Sequence, residues 1–466
     1  MTTRRTLSRF APMVLLGWTI ACSPDRIIGN AELPPNVPDP GSTKTPAGAV
    51  AAYRGALARL AWAYGSGPGS AVAASGLLSD ELQAGTIGQP IGVTDDRMQV
   101  DSRVLPEYVD PVLENGAPGR AIYFDTYRAL QAVRGQTSEA RGLLTHYAPD
   151  SLHALTGHLY AIQGYAEVLL ADLFCSGVPL STLDFDGDYT LAPGSSTADV
   201  YRHAITMFDS ALTLAADSER FVDMARVGKG RALLALGEWA AAAQAVAGVP
   251  DGFSYAETYP DHFSGTEQWY DLSPNFARLG IGATYWAFSV ADREGGDGLD
   301  YRSSADPRTV SDSNGTNDHG VTVYHPEKYS LIGDSPIVLA DWVEARLIEA
   351  EAALQAGDVT TWLAKLNHLR ETAIVPALPD TTDPGTPDAR VDLTFRERAF
   401  WLFLTAHRQG DLRRLVRQYG RQPNEVFPVG PYRGVSGSYG ADVTLPIPAE
   451  EIIGNPNFHG CMSRGA

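Results

Sequence analysis

The chain has 466 residues, of which 44% are apolar and 20% charged, a balance that supplies a large core and excludes a disordered chain. Fifty-five acidic against 36 basic side chains give a net charge of −19, whose field repels phosphate backbones, so no nucleic acid partner is expected. Three cysteines, none in a CxxC pair, make neither a disulfide scaffold nor a zinc site, and no cofactor is expected.

Arg4, Arg5 and Arg9 precede a 12-residue apolar run over 10–21 (FAPMVLLGWTIA), too short to span a membrane and of the form of an export signal. The run ends Thr19-Ile20-Ala21-Cys22, which resembles a bacterial lipobox, with Thr19 where leucine is usual. That resemblance makes 1–21 a signal peptide and Cys22 the lipidated first residue of a mature chain of charge −22, anchored to a membrane and not spanning it. Residues 22–46 hold six prolines and few large apolar groups, the composition of a stiff tether. The folded body is expected over 47–466.

Helical periodicity dominates that body. Leu155, Leu159, Ile162, Ala166, Leu169 and Leu173 recur at steps of three and four and predict one long helix. A second is predicted after a Ser196/Thr197 cap, with Asp199 in its first turn and Val200, Ala204, Met207, Phe208 and Ala211 on its apolar face. A helix pair is written in 225–250, turning at Leu236-Gly237-Glu238-Trp239 and stopped by Pro250. Another lies in 339–373, with Leu339, Val343, Leu347, Ala350 and Leu354 on its first helix and Gly357-Asp358 at its turn. Each pair is a small-residue-rich helix, a glycine-centred turn with an acidic neighbour, and a helix bearing Trp239 or Trp362. The unit is similar to a tetratricopeptide hairpin, in two interrupted copies.

Residues 250–336 differ in kind, with 13 aromatic residues, ten glycines and no sustained helical period. They predict a loop-rich insertion on a helical frame, the usual seat of binding groups.

The C-terminal third carries a wider resemblance. Residues 394–415 read TFRERAFWLFLTAHRQGDLRRL and are taken as one helix and its end, carrying Arg396, Glu397, Arg398, His407, Arg408, Asp411, Arg413 and Arg414. Phe427-Pro428, Leu445-Pro446-Ile447-Pro448 and Asn455-Pro456-Asn457 follow. With 335–358 (SPIVLADWVEARLIEAEAALQAGD), Ala305-Asp306-Pro307-Arg308, Lys328-Tyr329 and 165–180 (YAEVLLADLFCSGVPL) upstream, the order resembles the SusD/RagB family of outer-membrane nutrient-binding lipoproteins over 45–466. The resemblance implies a mainly helical, all-α, SusD-like fold with tetratricopeptide-like hairpins. It also implies a lipid-anchored protein on the outer face of the outer membrane, partnered by a SusC-like TonB-dependent transporter and capturing oligosaccharides or other oligomeric nutrients for it. The charged cluster itself reads as helix-packing pairs at i,i+3 and i,i+4 spacing.

For ligand contact, Trp269, Tyr270, Trp286 and Tyr301 are the expected stacking rings, with Asp297, Asp300 and Arg302 as polar partners for hydroxyls. In an exported chain Cys175 and Cys461 are expected to form a disulfide pinning the tail to the frame, two buried thiols being the alternative. No HExxH, GxSxG, phosphate loop or GxGxxG occurs, so a binding protein and not an enzyme is expected. Asp184, Asp186 and Asp188 imitate the start of a calcium loop, but Ser195 stands where such a loop has glutamate, and a solvated turn is expected. Two other readings stay open: a helical-repeat scaffold for protein or peptide partners, with the insertion's rings buried, and a surface hydrolase using Asp292, Glu294, Asp297 and Asp300.

Overall fold

The computed structural model describes residues 44–65, 69–84, 96–105, 122–148, 152–185, 187–259, 288–292, 298–316, 322–329, 335–432 and 437–466. The signal, Cys22 and nearly all of the tether lie outside them, as do Trp269, Tyr270, Trp286 and Asp297. Among the described residues the chain is mainly helical, with fourteen helices and ten short strands.

The helices are α1 (Pro46–Gly65), α2 (Ala71–Leu78), α3 (Asp96–Asp101), α4 (Ile122–Tyr147), α5 (His153–Leu173), α6 (Thr197–Leu214), α7 (Glu219–Ala235), α8 (Trp239–Val246), α9 (Trp342–Gln355), α10 (Val359–Thr372), α11 (Pro387–Trp401), α12 (Arg408–Tyr419), α13 (Pro423–Val426) and α14 (Ala449–Gly454). The strands are β1 (Leu82–Ala84), β2 (Val178–Pro179), β3 (Thr182–Leu183), β4 (Tyr189–Thr190), β5 (Gly194–Ser195), β6 (Ser254–Glu257), β7 (Phe288–Val290), β8 (Ser311–Thr316), β9 (Thr322–Pro326) and β10 (Ile337–Asp341). No helix of the described residues is long and apolar enough to cross a membrane.

The body starts where proline and threonine set a helix end. Pro46 occupies the first turn of α1, where its missing N–H costs nothing, and Thr45 Oγ1 accepts the Gly48 N–H at 3.0 Å. Ala49, Tyr53, Ala56, Leu60 and Ala63 then form the buried stripe that meets α4 and α5. At the centre lies α5, which the periodicity shows as one apolar face but which is buried on almost every side from Gly157 onward. Gly164 makes this possible: a Cβ there would meet the Phe208 ring of α6 at 2.8 Å. The α6 start is as expected, with Ser196 Oγ accepting the Asp199 N–H at 3.1 Å.

Both hairpins are present. In α7–α8 and α9–α10 the turn glycines, Gly237 and Gly357, take left-handed φ of 76° and 79°, a conformation open to glycine at little cost. Leu339 is a correction: it lies in β10, not in the helix, because Asp341 caps α9 by accepting the Glu344 N–H at 2.8 Å. The step from Leu339 to Val343 matches a helical period by coincidence across that boundary. The two hairpins are bound by a buried ion pair, Arg231 Nε to Glu344 Oε1 at 2.6 Å. Burial opposes ionisation of Glu344, yet Arg231, with His407 behind it, outweighs that and holds the carboxyl at about 2.

The 394–415 segment is also corrected. It is two helices, α11 and α12, separated by a buried turn in which Leu404 and Ala406 take left-handed φ of 54° and 58°. Such backbone is strained for residues with a Cβ and survives only where surroundings over-determine it. Here the Leu404 N–H donates to Glu81 Oε1 at 2.8 Å, its carbonyl accepts from the Tyr329 hydroxyl at 2.9 Å, and the Phe403 carbonyl accepts from Lys328 Nζ at 2.7 Å. Most of the charged pairs are long-range, not i,i+4. Arg414 keeps the expected i,i+3 pair with Asp411 but also reaches Glu351 of α9, Arg398 binds Asp411 across the turn with two hydrogen bonds, and Arg413 donates to the Asp172 carbonyl at the end of α5.

Cys175 and Cys461 are joined, with Cα atoms 5.8 Å apart across a sequence separation of 286. The tail is laced to the same place by hydrogen bonds from the Cys175 N–H to the Leu445 carbonyl and from the Met462 N–H to the Ser176 carbonyl.

Candidate functional site

The insertion is tied down at each described edge by strand pairing that the sequence pattern does not display. β6 pairs antiparallel with β10, β7 with β1, and β8 with β9 as a hairpin. Its foot, residues 298–309, rests on α11, on Phe403 just after it and on Asp80 just past the end of α2.

The triplet Asp300-Tyr301-Arg302 divides at that foot. Tyr301 points inward. It is 1% exposed, stacks on Phe403 and Phe400 at centroid distances of 4.9 and 5.4 Å, and its hydroxyl stands 3.5 Å from Asp80 Oδ1. This corrects its assignment as a ligand-stacking ring: a side chain enclosed by two phenylalanines has no face left for a sugar. Asp300 and Arg302 are partly exposed on either side of it. Asp300 Oδ1 accepts from Arg396 Nη1 at 2.6 Å, an ion pair that joins the foot to α11. The Arg302 guanidinium lies over the Tyr324 ring, 4.0 Å from its centroid.

Asp292 is spent on local structure. Its Oδ1 accepts from the backbone N–H groups of Arg302 at 2.9 Å and Ser303 at 3.0 Å, which fixes the orientation of the loop carrying Arg302. A further anchor is Arg308, clamped between Asp306 and Glu397 at 2.7 Å each, with its guanidinium 4.7 Å from the Trp401 centroid. Burial alone lowers the affinity of Arg308 for its proton, but the two carboxylates prevail and raise it above the ordinary value.

The structure therefore leaves two partly exposed pairs at the foot, Asp300 with Arg396 and Arg302 with the Tyr324 ring, either side of the buried Tyr301. Tyr324 and Arg396 were missed as candidates. Tyr324 sits in β9, where alternation turns it away from the buried Val323 and His325, a signal visible only once the strand is recognised. Trp269, Tyr270, Trp286 and Asp297 lie outside the described residues, and so does Glu294. Among the described residues no group of three or more His, Cys, Asp or Glu is placed to hold a metal ion. The Asp184 carboxylate accepts the Asp188 N–H at 2.9 Å and closes the β3–β4 turn; Asp186 lies outside the described residues.

The other described rings of the insertion are turned inward: Tyr255, Tyr259, Phe288 and Tyr329 are buried, and Phe253 is partly buried against the core. On the frame, a groove of about 630 Å³ runs between α8, α9 and α10 with alanines along both walls and Glu349 and Lys365 at its rim.

No protein-family model matches the chain, and no curated protein matches it in sequence. Solved structures do. A SusD superfamily protein from Bacteroides vulgatus superposes with a TM-score of 0.60 at 15% identity, over 90% of this chain and 99% of that one. A SusD homologue from Bacteroides thetaiotaomicron gives a TM-score of 0.61 at 13% identity, over 91% and 99%. A laminarin-binding SusD-like protein gives 0.58 at 14% identity, over 89% and 98%.

Proposed function

From the SusD-like fold that this chain has, we propose that it is a cell-surface nutrient-binding lipoprotein, anchored in the outer membrane through lipid on Cys22. It captures oligosaccharides at the insertion and passes them to a SusC-like TonB-dependent transporter. The observation that carries this reading is the likeness of fold across nine-tenths of the chain to proteins that include a laminarin binder and a putative sugar-binding protein. The export signal and lipobox-like Cys22 agree with it, as does the foot, where the partly exposed Arg302 guanidinium lies over the Tyr324 ring. In this reading the protein works by binding, without making or breaking a bond: of the four carboxylates considered for hydrolysis, the two described, Asp292 and Asp300, are engaged in a loop and an ion pair.

The test is purification of the lipidated protein from outer membranes in mild detergent, with mass spectrometry of what accompanies it. Equimolar recovery of a large TonB-dependent β-barrel supports the proposal, and a surface-exposed protein that brings no barrel overturns the delivery step. A second reading, a scaffold for protein or peptide partners, is favoured by one observation, the inward packing of Tyr255, Tyr259, Phe288, Tyr301 and Tyr329. An oligosaccharide panel separates the two. Saturable binding that Trp269→Ala and Trp286→Ala abolish supports sugar capture, and no binding by the unaltered chain supports the scaffold.

A further inference from the structure

A cavity of about 610 Å³ opens between the C-terminal half of α4, the start of α5 and the β3–β4 turn, within the size range of small-molecule sites. In a protein of net charge −19, its described walls carry one cation, Arg141, with two imidazoles, His146 and His153, while the Asp184 carboxylate is engaged in the turn.

Arg141 is the unusual member. Its guanidinium lies over the Tyr160 ring, 4.2 Å from the centroid, and its Nη1 is buried without a hydrogen-bond acceptor. Arg134, two turns earlier on the same helix, shows the ordinary solution, with Nε 2.9 Å from Glu167. A buried guanidinium N–H left unmade is costly, and an anionic acceptor is what satisfies it best. Burial pushes the Arg141 guanidinium below its ordinary range, and Tyr160 and Glu167 only partly offset this. The same cavity offers hydroxyls from Ser138, Thr145 and Thr156 and an apolar wall in Phe185, whose ring lies 5.6 Å from that of His146. A bare inorganic anion needs neither the volume nor the ring.

We propose that this cavity is a second saccharide site, selective for a sugar acid. The carboxylate of a uronic acid unit accepts from Arg141, its ring hydroxyls meet the serine and threonine side chains, and its apolar face lies on Phe185. The inference extends the sugar-binding reading to a place apart from the insertion and needs no transporter.

The experiment is calorimetric titration of the full chain in detergent with glucuronate, galacturonate, glucose and inorganic sulfate, repeated on Arg141→Gln. The expected result is saturable binding of a uronate but not of glucose, weakened about tenfold or more in the variant by loss of a charge-assisted hydrogen bond. The unaltered chain carries a readout independent of the variant's folding: glucuronate should shift the imidazole resonances of His146 and His153 and leave that of His368 in place. No binding of either uronate, equal binding of glucose, or sulfate displacing glucuronate with equal strength would overturn the proposal. If neutral oligosaccharides bind while uronates do not, this inference falls and sugar capture at the insertion stands.

Discussion

Arg408 and Asp80, 328 residues apart in sequence, form a buried ion pair of two hydrogen bonds, Nε to Oδ1 at 2.6 Å and Nη2 to Oδ2 at 2.9 Å. The same carboxylate accepts the Leu299 N–H at 2.9 Å, so one side chain at the end of α2 holds both the start of α12 and the foot of the insertion. Removing one partner of such a pair strands the other charge in the interior. Arg408→Met should therefore destabilise by about 3–5 kcal/mol, and the double change Arg408→Met with Asp80→Leu by less than either single change. Urea unfolding of the three variants measures it. A double variant that loses the sum of the single losses would show that the pair is not coupled.

The disulfide ties the end of α5 to the C-terminal tail across 286 residues, so its main effect is on the unfolded chain. Replacing Cys175 and Cys461 together by serine should cost about 2–5 kcal/mol. Thermal unfolding of the native chain should respond to a reducing agent in the same direction, while the serine variant should be indifferent to it.

Much of the frame can be read from the chain because its signals are local. The Ser196 cap, the steps of three and four in α5 and the glycines at 237 and 357 each specify their element from within a few residues. The long helix α4 is not legible in that way. Its buried face mixes Thr126, Arg134 and Thr137 with Leu130 and Val133, which breaks the apolar period. The late charged cluster fails for a different reason: Glu351, Asp80 and Arg308 reach it from other parts of the chain, and spacing within one segment cannot announce them. At the candidate site Tyr301 and Arg302 lie in a turn with no period of its own, and what draws Tyr301 inward is the pair Phe400 and Phe403, about a hundred positions away.

Tyr301 gives a direct test of that distinction. As a core ring, Tyr301→Ala should cost about 3–5 kcal/mol of stability, whereas Tyr301→Phe, which keeps the stack and loses only the long contact to Asp80, should cost about 1 kcal/mol or less. Oligosaccharide affinity of the folded Phe variant should be unchanged. A large loss of affinity in that variant at unaltered stability would return Tyr301 to the binding surface.

Glu257 predicts a pH response of definite sign. It ends β6 beside Tyr53 of α1, His158 of α5 and Arg220 of α7, is 6% exposed, and has Oε1 buried without a partner. Burial pushes its carboxyl up to about 8, Arg220 opposing only weakly, while burial also holds His158 down at about 3, so the imidazole stays neutral. In the unfolded chain the carboxyl ionises near its ordinary value of 4.5. Below that value both states hold the proton and the contribution to stability is full. As the pH rises toward 8 the unfolded state releases the proton and the folded state keeps it, so stability falls. Glu81, also raised to about 8 by burial, acts in the same direction, so the comparison must be with a variant and not with pH alone. Glu257→Gln cannot ionise and should gain on the native chain by about 2 kcal/mol or more between about pH 5 and pH 8, at ~1.4 kcal/mol per pKa unit. Urea midpoints of both proteins at the two pH values measure the difference. A gap that stays constant, or one that widens toward low pH, would mean that Glu257 is ionised in the folded protein and paired with Arg220.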